Sequence, residues 1–270
     1  MKSPACIESP LGFLFGACGV QLSQYITDTQ SLLHDNLGLL TPVSQLTTWI
    51  NEARRQVAYA TGCINLLATG LAPNGNAAQP GSMVPGGFTP GSPPTPPFNT
   101  IVNQEKYPFS MALEIIQNTN AGIQYVTDIT SLAISWGSMR PALNYMPWDD
   151  FQAYARSYNY IVSSYPLVWA TDGDGVNANV WLWPVPSQSL EMEWQCRCTP
   201  SALVTDSDYD AIPHPFENSV KYYSAYLAYL GTQRPQQAEL MLQLWQSSLG
   251  RNRASTEHGR VVDWYNSMSY

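Results

Sequence analysis

Charge is what this sequence has least of. Only 12% of its 270 residues are Asp, Glu, Lys or Arg, about half the share of roughly 25% found in ordinary soluble domains. From Gln56 to Gln104 no side chain is charged at all. Such a chain either relies on Ser, Thr, Asn and Gln for solubility or has much of its surface covered by partner subunits. Basic residues are scarcest: 12 Lys and Arg stand against 20 Asp and Glu, for a net charge of −8. That balance argues against conventional nucleic-acid gripping, which neutralises phosphates with Lys and Arg. It is compatible with DNA passing nearby, because a negative wall repels DNA and lets it slide.

Metal-ligand spacing is missing too. His34, His214 and His258 are scattered, with no His-x-x-x-His or Cys-x-x-Cys pattern, which argues against zinc. "DGDG" at residues 172–175 starts like a calcium loop, but the closing Glu is absent and strands flank it. It reads as a tight hairpin turn. No Gly-rich phosphate loop is present. The five cysteines, Cys6, Cys18, Cys63, Cys196 and Cys198, are odd in number and irregularly spaced. They read as free thiols in a reducing compartment rather than as a disulfide framework. The apolar run from Leu11 in "MKSPACIESPLGFLFGACGV" is too short to span a membrane, and Glu8 and Pro10 interrupt its approach. This stretch is expected to be a sticky N-terminal arm on a non-secreted chain with no membrane partner. Glu191 and Glu193 share one face of an alternating stretch and read as a solvated edge. Nothing here builds a catalytic site or calls for a cofactor.

What the chain does have is apolar and aromatic. Its 44% apolar content can bury a core. Nine Trp and sixteen Tyr suit interfaces, where an apolar body with a polar tip is useful. The periodicity predicts a helix over about 23–34, with Tyr25, Ile26, Thr29, Leu32 and Leu33 inward. A second helix is expected from Thr41-Pro42, with Thr as cap and Pro at the first helical position, to about Thr69. Gly62 reads as a weak point within it. Its apolar face is Leu46, Ile50, Ala53, Val57, Ala60 and Ile64, with Arg54 and Arg55 off that face. Residues 70–99 hold eight Pro and six Gly and read as linker or polyproline II.

Residues 101–212 read as β-rich. "GIQYVTDITSLAISWG" predicts two strands with a break near Thr127-Asp128. "MPWDDFQAYARSY" predicts a short helix after Pro147, with Asp149 and Asp150 in its first turn. "PLVWATDGDGVNANVWLWPVP" predicts strand, turn and strand. In "LEMEWQCRC", Leu190, Met192, Trp194, Cys196 and Cys198 alternate with polar residues, as in a half-buried antiparallel strand. From Pro213 an αα-hairpin is expected. Its first face is Phe216, Val220, Tyr223, Leu227 and Leu230; its second is Ala238, Met241, Trp245 and Leu249. The predicted fold class is α+β: a helical bundle from the N- and C-terminal helix pairs, a β-rich inserted subdomain, and extended arms. The boundaries are 1–20 for the arm, 21–69 with 213–250 for the bundle, 70–100 for the Pro/Gly-rich loop, 101–212 for the β-rich part and 251–270 for the tail.

"ITDTQSLLHD" followed by "LTTWINEARRQVAYATGC" resembles the opening of the head-to-tail adaptor proteins of short-tailed, double-stranded-DNA phages. The typical second helix is built on "W-I-N-x-A-R-x-x-V-A-x-x-T-G-C". Trp49, Ile50, Asn51, Ala53, Arg54, Val57, Ala58, Thr61, Gly62 and Cys63 match it. "WGSMRPALNYMPWDDFQAYAR", "VWLWPVP" and "DYDAIPHPFENSVKYYSAYLAYL" come later in the same order, so the likeness touches about two thirds of the chain. The resemblance implies a structural virion protein and not an enzyme. It implies a ring, commonly of twelve copies, that sits under the portal protein, extends the DNA channel and carries tail or nozzle proteins. It places the protein in the virion neck, and in the host cytoplasm during assembly. The genomic DNA passes without sequence-specific contact.

On this resemblance the uncharged run lies against neighbouring subunits or tail proteins, where an unpaired charge costs free energy. The tail binds the portal through Arg251, Arg253, Arg260, Val261, Val262, Trp264, Tyr265 and Tyr270, basic residues first and apolar residues after. Two other readings fit parts of the sequence. One is a carbohydrate- or receptor-binding tail module using Trp181, Trp183 and Trp194. The other is a hydrolase using Cys63 or a carboxylate.

Overall fold

The computed structural model describes residues 19–35, 41–69, 98–120, 122–136, 139–157, 162–163, 165–173 and 175–257. Residues 1–18 of the expected arm, the Pro/Gly-rich residues 70–97 and the tail from residue 258 lie outside them. In chain order the elements are α1 (Leu22–Leu33), α2 (Val43–Thr61), β1 (Asn65–Thr69), β2 (Lys106–Pro108), α3 (Phe109–Thr119), β3 (Ile123–Ile134), β4 (Asn144–Tyr145), α4 (Trp148–Ser157), β5 (Val162–Ser163), β6 (Val168–Asp172), β7 (Asn179–Trp183), β8 (Val185–Pro186), β9 (Met192–Pro200), α5 (Glu217–Gly231) and α6 (Pro235–Glu257). The fold is α+β. The chain divides into two compact units, Met1–Cys63 with Ala202–Tyr270, and Ile64–Ser201.

In the first unit α5 packs against α1, α2 and α6, and α1 packs against α2. A helix with three helical neighbours needs small residues where the backbones approach. The buried positions of α5 are accordingly Ser219, Val220, Ser224, Ala225, Ala228 and Tyr229. Of the large residues expected inward, Leu230 is 46% exposed and Tyr223 and Leu227 are half-buried. The serines are paired across the contacts: Ser224 Oγ lies 2.9 Å from Thr29 Oγ1, and Ser219 Oγ 2.8 Å from Ser248 Oγ. At Gly231 a Cβ would stand 2.8 Å from the Trp49 ring, so this glycine is a close-approach site. On α6, Ala238, Met241 and Leu249 are buried, as their spacing predicts.

Helix α2 differs from expectation at both ends and on one face. Pro42 is the residue before the helix, not its first member. The helix does not run to Thr69. Gly62 takes a left-handed conformation, φ 60°, and its N–H donates to the Ala58 carbonyl. That is a C-terminal stop that glycine adopts at little steric cost. Asn65–Thr69 is then drawn into a sheet as β1. Arg54 is not off the apolar face: it is 1% exposed.

In the second unit β9 is the middle strand of a sheet ordered β1-β9-β3, antiparallel on both sides. The stretch expected as two strands is one, β3, and the expected break is a register shift between Val126 and Asp128. A bulge of this kind bends a strand without ending it. Helix α3 lies in the stretch that reads as β-rich and has no counterpart among the expected elements; it packs on β1 and β3. A second sheet is ordered β2-β7-β6-β4, and β5 pairs with β8. The β6–β7 hairpin aligns Asp172 with Asn179 and turns through Gly173 and Gly175 at φ 81° and 59°, so the described residues of "DGDG" sit in a hairpin turn.

One detail of the first sheet has no signature in the sequence. Strand β1 ends with Thr69 opposite Glu193. The next rung of β9 is occupied by Phe98, whose carbonyl accepts from Met192 N at 2.8 Å. Asn99 then faces Glu191 in an antiparallel bridge, and Thr100 N donates to the Leu190 carbonyl at 2.7 Å. Residues 70–97 therefore leave and re-enter one line of pairing between successive rungs.

Among the described residues no helix is long and apolar enough to cross a membrane.

Candidate functional site

One charged pair of the first unit is withdrawn from water, and it ties α2 to the segment before α5. Arg54 and Asp210 are fully buried, 1% and 0% exposed, with Nη2 2.6 Å from Oδ1. Burying two charges is tolerable only if their remaining hydrogen-bonding capacity is used. Here Arg54 Nη1 also donates to Asn51 Oδ1 at 2.9 Å. Asp210 accepts from the Tyr25 hydroxyl at 2.8 Å and from Ile212 N at 3.1 Å. Burial, with the Asp210 charge and hydrogen bond added to it, pushes the Tyr25 phenol far above its ordinary range. Asn51 closes the arrangement by clamping Leu203: its Nδ2 donates to the Leu203 carbonyl and its Oδ1 accepts from Leu203 N, both at 2.9 Å.

These bonds hold residues 202–212 as a strap across the helices. The strap also serves α1, whose first amides lack partners within the helix. Leu22 N and Ser23 N donate to the carbonyls of Asp208 and Asp206. Asp208 caps a turn of its own. Its carboxylate accepts from the hydroxyl and amide of Thr205 and from Val204 N. Those bonds hold its pKa below the ordinary carboxylate value, the Thr205 hydroxyl first among them. The motif residues Asn51 and Arg54 are thus structural clamps. The sequence signal for Arg54 is its place within the motif, since a lone Arg on a helix face reads as solvated.

The second unit carries an aromatic face where α4 covers β7. Trp148 lies 5.3 Å from Trp181 and stacks on Phe151 at 5.8 Å. Tyr154 meets Trp183 edge-on at 4.8 Å, and Lys106 Nζ stands 5.4 Å over the Trp181 ring. Trp181 and Trp183 are half-buried. Trp194, grouped with them as a candidate sugar-stacking residue, is fully buried against Phe98 at 5.0 Å. It is a core residue on the other sheet.

Cys63, the thiol of the hydrolase reading, is half-buried just past α2, its N–H donating to Thr61 Oγ1 at 3.2 Å. Cys196 and Cys198 share the buried face of β9 as expected. Burial pushes the Cys198 thiol up to about 12 and Cys196 higher still, the latter also raised by Cys198 and Asp128. Neither is a ready nucleophile, because the thiolate is the reactive form. His214 pairs with Glu217 at 2.9 Å on the surface. No group of three or more His, Cys, Asp or Glu able to hold a metal occurs among the described residues. The recess between Ile134 and Met192, lined by Arg140, Glu191 and Glu193, has no room for a water.

Of the eight residues expected to bind the portal, the structure places two. Helix α6 continues past Gly250 to Glu257, so Arg251 and Arg253 stand on a helix rather than on an extended tail. Arg251 is exposed, its Nε 3.4 Å from the Ser247 carbonyl. Arg260, Val261, Val262, Trp264, Tyr265 and Tyr270 lie outside the described residues.

No curated protein matches the chain significantly. The family model described as SU10 adaptor protein does match, over residues 20–265. That span takes in both units, including the Asn51–Arg54–Asp210 clamp and the strap. With nearly its whole length matched, the chain belongs to the SU10 adaptor protein family and is a structural adaptor protein of a phage virion.

Proposed function

We propose that this chain assembles into a ring between the portal and the tail, of twelve copies as its resemblance implies, and that the ring extends the DNA channel. Family membership over residues 20–265 is the observation that carries the reading. The composition supports it. A net charge of −8 suits a conduit that DNA must slide through, and few charges with many aromatics suit a subunit covered on several sides. The terminal helix pairs act as one four-helix bundle. Residues 1–18 and 70–97, from the expected arm and the Pro/Gly-rich loop, are contact arms toward neighbouring copies or tail proteins. The C-terminal segment anchors the ring on the portal through Arg251, Arg253, Arg260, Val261, Val262, Trp264, Tyr265 and Tyr270.

The test is the mass of the purified protein with and without its portal. A monomer or weak oligomer alone, and a ring on the portal, are expected. A stable monomer that ignores the portal would end this reading.

A further inference from the structure

The strap, residues 202–212, has a fixed backbone and outward-facing apolar side chains. Asn51, the buried Arg54–Asp210 pair and the first turn of α1 hold it, and Asp210 N donates to the Val20 carbonyl. Yet Val204 is 78% exposed and Tyr209 62%. Exposed Asp206 stands between them, and no basic residue occurs from Ala202 to Ile212. A loop already ordered loses little freedom when something binds it, and these side chains are not needed to hold it.

The last turns of α6 reach the segment that joins this loop to α5. Asn252 Nδ2 donates to the Pro215 carbonyl at 3.2 Å and to Ser219 Oγ at 3.3 Å, three residues past the strap. The helix runs on to Glu257. The chain therefore leaves α6 at the end of the unit where the strap and the first turn of α1 meet. It continues as "HGRVVDWYNSMSY": one Arg, then Val261 and Val262, then Trp264 and Tyr265, with Asp263 as its single acidic side chain.

We propose that residues 258–270 dock across the strap of their own subunit, with Arg260 toward Asp206 and the apolar residues over Val204 and Tyr209. Thirteen residues reach about 40 Å when extended, and a tether of a few residues gives an effective concentration on the order of millimolar. Docking covers Val204 and Tyr209, which otherwise face water. The consequence for assembly rests on the portal-anchor reading: one segment cannot occupy the strap and the portal together, so engaging the portal uncovers the strap. The docking itself does not rest on that reading.

The experiment uses the chain ended after Glu257, the full chain, and a labelled synthetic peptide of residues 258–270, with binding followed by fluorescence anisotropy. The shortened chain should bind the peptide, and the full chain at least about tenfold more weakly, because its own tail competes. Val204→Ser with Tyr209→Ala should lose about tenfold or more in the shortened chain, and Asp206→Lys should also weaken binding. These side chains are exposed, so the variants should melt like the parent. Equal binding by the full and shortened chains overturns the proposal. So does peptide binding that ignores both variants, or a shortened chain that binds no peptide and pairs with a second copy through the strap. Portal binding by the full chain is measured separately. Its failure would end the adaptor reading and leave the strap result standing.

Discussion

The most consequential single residue in the helical unit is Arg54. Its charge and that of Asp210 are both withdrawn from water, so each is stable only while the other remains. Arg54→Met leaves Asp210 buried and uncompensated and should cost about 3–5 kcal/mol, read as a lower urea midpoint. Leu203 should loosen with it, because Asn51 is shared between the guanidinium and the strap. Tyr25 offers a subtler test. Tyr25→Phe removes one donor to Asp210 and should cost about 1–3 kcal/mol near neutral pH. The Tyr25 pKa is raised in the folded state by burial first and by Asp210 second. A raised pKa means that its contribution is complete below the unfolded value of about 10 and declines as pH rises above it. The gap in stability between the native protein and Tyr25→Phe should therefore narrow above about pH 10. A gap that widened there would mean that the phenol is not held neutral by its surroundings. None of this coupling is legible in the sequence, because Asp210 lies 156 positions from Arg54 and nothing in the helical period of α2 calls for a buried cation.

At the scale of elements, the line of pairing shared by β1 and Phe98–Thr100 makes a direct prediction. If residues 70–97 are removed and Thr69 is joined to Phe98, their partners Glu193 and Met192 are already consecutive. The junction keeps its register, and every side chain keeps its face. Closing a loop of this length costs on the order of 3 kcal/mol in chain entropy, so the deletion should leave the fold intact and its melting temperature equal or higher. A marked drop in melting temperature would mean that the run packs on its own subunit. If the run is a contact arm, neck assembly should fail although the subunit folds. Elements with a clean period are readable from sequence: α1, α6 and the alternation of β9 all follow their apolar spacing. The departures have local causes. Gly62 reads as a weak point within a helix, because a left-handed stop and a tolerated helical glycine look alike in one sequence. Helix α3 escapes the pattern because "FSMALEIIQNT" is short and nearly continuous in apolar residues, which a buried strand also shows. On α5 the spacing favours a face of large residues, because the sequence does not reveal that three helices surround it.

For the whole molecule, the two possible cuts near the end of α6 differ in what they remove. Cutting the chain after Gly250 removes Asn252, and with it two hydrogen bonds to the start of α5, as well as the last turns of the helix. Cutting after Glu257 spares both. The second cut isolates the tail's role from the helix's. The shortened protein should stay folded and melt only a few degrees below the full chain, by what its docked tail contributes, while losing portal binding, and particles assembled with it should leak DNA. Interface energy concentrates in a few buried aromatics, each worth about 2 kcal/mol or more. Trp264→Ala alone should therefore weaken portal binding by about 30-fold, and Tyr265→Ala should have a comparable effect. Changing Arg251 or Arg253 should act mainly on the salt dependence of association, because charges at an interface rim steer encounter more than they hold it. Portal binding that survives the cut after Glu257 at full strength would move the anchor onto the helical unit itself, and would leave the tail with the strap as its sole target.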